Sequence, residues 1–262
     1  MCHYRHAASQ ALDEPFSIPQ GFRKELFYMT NVKIPKTRPV GSLVNDLRKH
    51  LFKKTQKPLS LSGIFQKFTE SRQHQQALKN PPTSPASLEN PYVYFPLQLQ
   101  PEMTTSALGR GFSDQLTAIE CISQIIPEDW AILVKENPKQ GYRQRGIHFF
   151  DRLAKIRNAV YVDRKISTYA LMENARFIST VTGTAGWEAI SGGKPALVFG
   201  QPWYSGLPGV ATYKPGIKLD DFLNQDFSHS DLVAAFNQRM THTRKGVLDP
   251  HYERIVPSFS EE

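Results

Sequence analysis

The chain has 262 residues, 40% of them hydrophobic and 21% charged, with a formal net charge of +8; this is a globular composition, enough for one large domain or one domain plus an appended piece. It has no apolar run of about 18 residues, so no transmembrane helix is expected, and the opening MCHYRHAASQALDEP lacks the apolar stretch of a secretory signal. Two cysteines without CxxC spacing (Cys2 and Cys121) and eight histidines without an HExxH or Cys/His cluster argue against a disulfide scaffold and a zinc site, so a cytosolic, soluble protein is expected.

Most of the net charge is N-terminal. Between Gly21 and Pro81 there are thirteen basic residues against three acids, Glu25, Asp46 and Glu70. Such a segment suits an anionic membrane surface, an acidic glycan or nucleic acid, or it is a solvated connecting region. No nucleic-acid-binding motif accompanies the charge, so nucleic acid is not expected as a partner. GSLVNDLRKHLFKKT and LSGIFQKFTESRQHQQAL read as helices, the first with Leu43, Val44, Leu47 and Leu51 at amphipathic spacing. NPPTSPASLENP (80–91) reads as a linker. The expected division is a basic, mainly helical region over 1–90, a nucleotide-sugar-binding domain over 91–245 and a tail over 246–262.

Downstream, short apolar runs alternate with helical stretches. Strands are predicted at 92–99, 130–136, 159–163, 177–182 and 195–200, with helices at 113–126, around 143–155, at 167–175 and from 185 to 191. A last helix, SDLVAAFNQRM, is predicted to start with Ser230 as its N-cap. Strands that read as continuous apolar runs are those of a parallel sheet covered on both faces. The fold class is therefore α/β, a doubly wound, Rossmann-like domain preceded by a short helical region.

In such a sheet ligands bind beyond the carboxyl ends of the strands, and three strand ends carry unusual residues. QPEMTTSALGRGFSDQ follows the first strand: Gln100, Pro101 and Glu102 end it, and Gly109 and Gly111 flank Arg110 in a flexible loop. Glu102 is either a base or nucleophile at the strand mouth or a solvated turn residue. GRG is not a full GxGxxG and there is no Walker A sequence, which weighs against a dinucleotide or P-loop site. VKENPKQGYRQR follows the second strand; Asn137-Pro138 makes the turn, and Lys135, Lys139, Arg143 and Arg145 suit a phosphate or carboxylate. Between the fourth strand and its helix lie Thr182, Gly183, Thr184 and Ala185. They form either a phosphate seat, with free amides and a close backbone approach, or a tight helix–strand contact that needs small residues. Glu188, one turn beyond Thr184, is placed to accept from ribose hydroxyls.

YFPLQLQPEMTTS, WAILVKENP, TVTGTAGWEAISGGKPALVFG and WYSGLPGV, over roughly residues 90 to 215, resemble capsule polysaccharide biosynthesis and export proteins, the bacterial group related to Kdo transferases that use CMP-Kdo. The turn, Glu188 and Lys194-Pro195 look like the nucleotide-binding half of GT-B glycosyltransferases, which pair two Rossmann-like domains. The resemblance implies transfer of Kdo or a similar sugar from a CMP-sugar donor to a glycolipid or polysaccharide acceptor at the cytoplasmic membrane face, without cofactor or metal; no DxD motif is seen. It assigns the donor phosphate to Thr182–Ala185 and the ribose to Glu188. It also gives donor-binding roles to Gln100, Lys135 and Asn137, with Glu102 as the catalytic carboxylate. Asn137 stands where relatives often have the His of His-Pro and cannot carry its positive charge. Relatives also have an N-terminal acceptor domain with βαβ alternation, which residues 1–90 lack. The expectation is a short or truncated member that is either an active transferase or a noncatalytic nucleotide- or glycan-binding component working with a capsule assembly partner.

Overall fold

A computed structural model describes residues 90–140, 145, 148–163 and 166–242, together with Thr69, Arg72 and Gln76, which are helical and lie in the second predicted N-terminal helix. The first predicted helix, the linker over 80–89 and the tail over 246–262 lie outside the described residues. In chain order the elements are β1 (Tyr92–Pro96), α1 (Met103–Ser106), a 3-10 turn (Arg110–Phe112), α2 (Gln115–Ile125), β2 (Ala131–Lys135), α3 (Phe149–Leu153) and β3 (Ala159–Val162). There follow α4 (Thr168–Asn174), β4 (Phe177–Thr180), α5 (Ala185–Ser191), β5 (Ala196–Val198), β6 (Val210–Thr212), α6 (Asp220–Leu223) and α7 (His229–Thr241).

The six strands are all parallel, in the order β3-β2-β1-β4-β5-β6. This is the doubly wound, Rossmann-like arrangement, with helices on both faces. Alternation along each strand explains the apolar runs. In β1, Tyr92 and Tyr94 enter one core with Leu171 and Met172 of α4, Trp187 and Ile190 of α5 and Phe236 of α7. Val93 and Phe95 enter the other core with Leu116, Ile119 and Ile122 of α2, Phe149 and Leu153 of α3 and Phe222 of α6. Both faces are covered, so a polar residue on either would be buried without water.

Local signals set the helix starts. Asp114 accepts from the Leu116 amide ahead of α2, and Ser167 accepts from Ala170 ahead of α4. The last helix is capped by Ser228, not Ser230: Ser228 and Asp231 form a reciprocal capping box, which fixes the start two residues earlier. Sequence reading also missed β6, an edge strand of three partly exposed residues without a run of alternating apolar positions. Among the described residues no helix is long and apolar enough to cross a membrane.

Candidate functional site

β1 and β4 are neighbours, yet the chain leaves them toward opposite faces, to α2 and α5. In open α/β sheets ligands bind in the crevice at such a switch point, between the two outgoing loops. Gln98 spans it: its Nε2 donates to Thr182 Oγ1 at 3.0 Å, and its Oε1 accepts from the Thr182 amide at 2.9 Å. The Thr182 hydroxyl in turn donates to Thr104 O at 3.1 Å, so both polar groups of this threonine that face the loop are occupied internally.

The β1 side is a closed lattice. Gln115 pairs with both backbone groups of Gln98, at 2.7 and 3.0 Å, and Gln140 does the same for Gln100, at 2.8 and 3.1 Å. Arg145 donates to Gln98 O and Gln100 Oε1 and forms a bidentate pair with Glu136, at 2.6 and 3.1 Å. The side chains of that pair are wholly buried, so each charge depends on the other for the solvation that water would provide. Gln100 Nε2 donates to Ser113 O; the side chain of Gln100 therefore has both ends in use. The peptide bond between Gln100 and Pro101 is cis.

Two members of the basic cluster expected after β2 are engaged within the protein. Arg145 is turned inward to Glu136, and Lys135 donates to Ile166 O at 2.5 Å and to Thr168 Oγ1 at 2.9 Å. Burial pushes Lys135 down to about 8, because a charged ammonium is costly to desolvate. Arg143 lies outside the described residues. Asn137 Oδ1 accepts from the Lys139 amide, closing its own turn. Glu102 is exposed just before α1, with Thr104 Oγ1 3.5 Å from its carboxylate. The GRG stretch, expected as a flexible loop, is packed at Gly109, while Arg110 and Gly111 are exposed. A Cβ on Gly109 would collide with Thr105 O and lie 3.1 Å from Val181 Cγ1, and Phe112 sits edge-on to Phe199 at 4.8 Å.

On the β4 side fewer groups are paired. The Gly183 amide donates to Thr180 Oγ1, and its carbonyl accepts from the Tyr204 hydroxyl. Tyr204 is fully buried beneath the turn, and a Cβ on Gly186 would strike its ring and hydroxyl. Here the small residue is required by a tyrosine clamp. The amides of Thr184 and Ala185 have no acceptor among the described residues, and both residues are half-buried. Glu188 faces inward, only 4% exposed. Among the described residues its side chain has one hydrogen bond, with Thr184 Oγ1 at 3.2 Å. Burial pushes its carboxyl up to about 7, and the Thr184 bond offsets only part of this. Tyr94 and Tyr204 are both raised, first by burial and also by the nearby Glu188.

The structure thus brings Gln98, Thr182, Thr184 and Glu188 to one crevice. It holds Lys135, Asn137 and Gln100 in contacts of their own. Gln98, Gln115, Gln140, the Glu136–Arg145 pair, Tyr94 and Tyr204 escaped sequence reasoning. Glutamines carry no spacing rule, and Gln98 and Tyr204 were covered only within the segments YFPLQLQPEMTTS and WYSGLPGV that carry the resemblance.

A family model described as capsule polysaccharide biosynthesis protein matches residues 38–244. No curated protein matches the chain. Among solved structures the chain is similar to Thermosulfurimonas dismutans KpsC, beta Kdo 2,7 transferase, at 16% identity and a TM-score of 0.41, over 74% of this chain and 57% of that one. It is also similar to the same organism's KpsC, beta Kdo 2,4 transferase, at 18% identity and a TM-score of 0.38, over 70% of this chain and 57% of that one. The match therefore spans a little over half the length of either solved chain.

Proposed function

The chain belongs to the capsule polysaccharide biosynthesis protein family, whose model covers 38–244, and from that premise we propose that it is the donor-binding part of a glycosyltransferase. In this reading it moves Kdo or a similar sugar from a CMP-sugar to a glycolipid or polysaccharide acceptor. The observation that carries the reading is the β1/β4 crevice, with two open amides at Thr184 and Ala185 opposite a braced loop that presents Glu102. Anions favour such amides, and a CMP-sugar brings one phosphodiester charge. Thr182 and Gly183 shape the seat, while Thr184 and Ala185 donate to the phosphate. Glu102 is the candidate nucleophile or base, free in solvent on the loop that Gln98 ties to the seat. No metal or other cofactor has a role in this scheme. The basic segment over 21–81 adds peripheral contact with the anionic inner leaflet.

Calorimetry with CMP, UMP and their diphosphates tests the donor. CMP should bind most tightly, and a preference for uracil would replace the reading with a UDP-sugar enzyme. Transfer from CMP-Kdo to a Kdo-capped glycolipid, followed by mass spectrometry, tests the reaction. Pelleting with anionic vesicles at low salt tests the membrane contact, since screening is weakest there.

The Asn137 side chain, closed into its own turn, favours a second reading in which the chain binds nucleotide or glycan without catalysis. Then CMP binds, transfer is absent, and a capsule assembly partner restores it.

A further inference from the structure

Two cations expected to meet an anion at the carboxyl ends of the strands, Lys135 and Arg145, are engaged inside the protein. Arg110 is different. It lies on the loop that leaves β1 and crosses above the ends of β4 and β5, where Thr104 O meets Thr182, and Leu108 O meets the Gln201 amide. It is exposed, and among the described residues its guanidinium has no hydrogen-bond or ion-pair partner. Its backbone is in the left-handed region, with a φ of 52°. Asn158 is the other non-glycine residue with positive φ among the described residues, and asparagine enters that region readily. Arginine does not, because its Cβ crowds the following carbonyl.

Both flanks hold this conformation in place. Gly109 is packed against Thr105 O and Val181, and the Phe112 amide closes the turn on Gly109 O at 2.9 Å. Phe112 in turn lies edge-on to Phe199 and Tyr213, at 4.8 and 5.6 Å. The fold therefore imposes a backbone suited to glycine, and the residue in it is a long, unpaired cation at the ligand end of the sheet. Non-glycine residues in such conformations cluster at ligand-binding and active sites, where strain is tolerated for function. A guanidinium offers a planar fork of donors that matches a carboxylate. We infer that Arg110 is a specificity residue that holds the carboxylate of an acidic sugar, on the donor or on the acceptor. This rests on the reading of the chain as a transferase of Kdo or a similar sugar. It uses neither the amides of Thr184 and Ala185 nor Glu188.

The test uses the full chain and the methyl glycoside of Kdo, set against its uncharged carboxamide, with binding followed by ligand-observed NMR. Wild type should bind the acid about tenfold more tightly than the amide, and Arg110→Gln should lose that preference. Lys214, just after β6, is another exposed cation whose side chain has no partner among the described residues. Lys214→Gln should keep the preference within about twofold, because a single exposed charge is largely screened. Arg110→Gly should lose the preference yet melt about 2–4 °C above wild type, since glycine relieves the backbone. Transfer kinetics locate the sugar: Arg110→Gln raises KM for CMP-Kdo where the carboxylate is the donor's, and KM for the Kdo-capped glycolipid where it is the acceptor's. The proposal is overturned by wild type that does not separate acid from amide, or by Arg110→Gln that separates them as wild type does. Equal losses in Arg110→Gln and Lys214→Gln overturn it too, as an effect of net charge alone. So does Arg110→Gly that melts below wild type, because the arginine would then be structural. A loss of CMP affinity in Arg110→Gln as large as that for the acid would assign the cation to a phosphate instead. Wild type with neither CMP binding nor sugar transfer removes the transferase reading, a separate result after which the glycoside pair still decides the role of Arg110.

Discussion

The two sides of the crevice are built on opposite principles. At the ends of β1 and β2, four glutamines and the Glu136–Arg145 pair satisfy one another's polar groups, so the loop bearing Glu102 is fixed from beneath. At the end of β4, among the described residues, two amides have no acceptor and a buried carboxyl has no cation beside it. Paired polar groups give shape, and under-satisfied ones remain able to respond to a ligand or a proton. On the proposed function one side is frame and the other is receptor.

The largest effect should come from breaking the frame. Arg145→Met leaves the Glu136 carboxylate buried without its partner, and losing one member of such a pair costs about 3–5 kcal/mol. Urea unfolding should show this, and adding Glu136→Leu should recover a large part because no lone charge remains. A loss below about 1 kcal/mol for Arg145→Met would show that the loop does not depend on the pair.

Next comes the clamp beneath the receptor. Gly186→Ala forces a methyl into the fully buried Tyr204, and overpacking of that kind costs about 1–3 kcal/mol. Tyr204→Phe removes only the bond to Gly183 O and should cost about 1 kcal/mol. Thermal unfolding reads the stability of both. CMP titration should show both weakened, because the turn moves with the ring; unchanged CMP affinity in the alanine variant would detach the clamp from the seat.

The overall fold was legible because burial on both sheet faces writes itself into sequence as apolar runs, and YVYFP, AILVK and FIST are such runs. The end of β4 was also legible, since TGTAG combines small residues and hydroxyls at a helix start. The frame was not. Whether Arg145 meets a ligand or Glu136 depends on which face of the β2 end turns inward, and the residue string does not state it. Glu188 was placed on the correct helix, but its spacing from Thr184 fits an outward and an inward side chain equally well. The crossing bond between Gln98 and Thr182 joins residues 84 positions apart, beyond any local pattern.

A smaller effect, with a sign that can be fixed in advance, separates receptor from frame by pH. The Glu188 carboxyl is raised from 4.5 to about 7 in the native state, so between those values the folded chain holds a proton that the unfolded chain has released. Stability from this group is complete below about pH 4.5, falls as pH rises, and is gone above about pH 7. Glu188→Gln has no such proton. It should be more stable than wild type by roughly 3 kcal/mol at pH 8, with the advantage vanishing toward pH 4.5. Unfolding curves across that range check it, and a constant difference at all pH values would mean that the carboxyl does not titrate there.

The smallest stability effect belongs to Glu102. It is exposed, and its nearest polar contact is a 3.5 Å approach from the Thr104 hydroxyl, so Glu102→Gln should move stability by no more than about 0.5 kcal/mol. Its consequence lies in chemistry. If Glu102 is nucleophile or base, the variant should bind CMP like wild type and lose about 100-fold or more in sugar transfer. Because frame and fold are untouched, that split assigns the carboxylate to the reaction. Equal transfer by variant and wild type would leave the frame presenting no catalytic group, and the noncatalytic reading would then account better for a crevice whose one responsive side only binds.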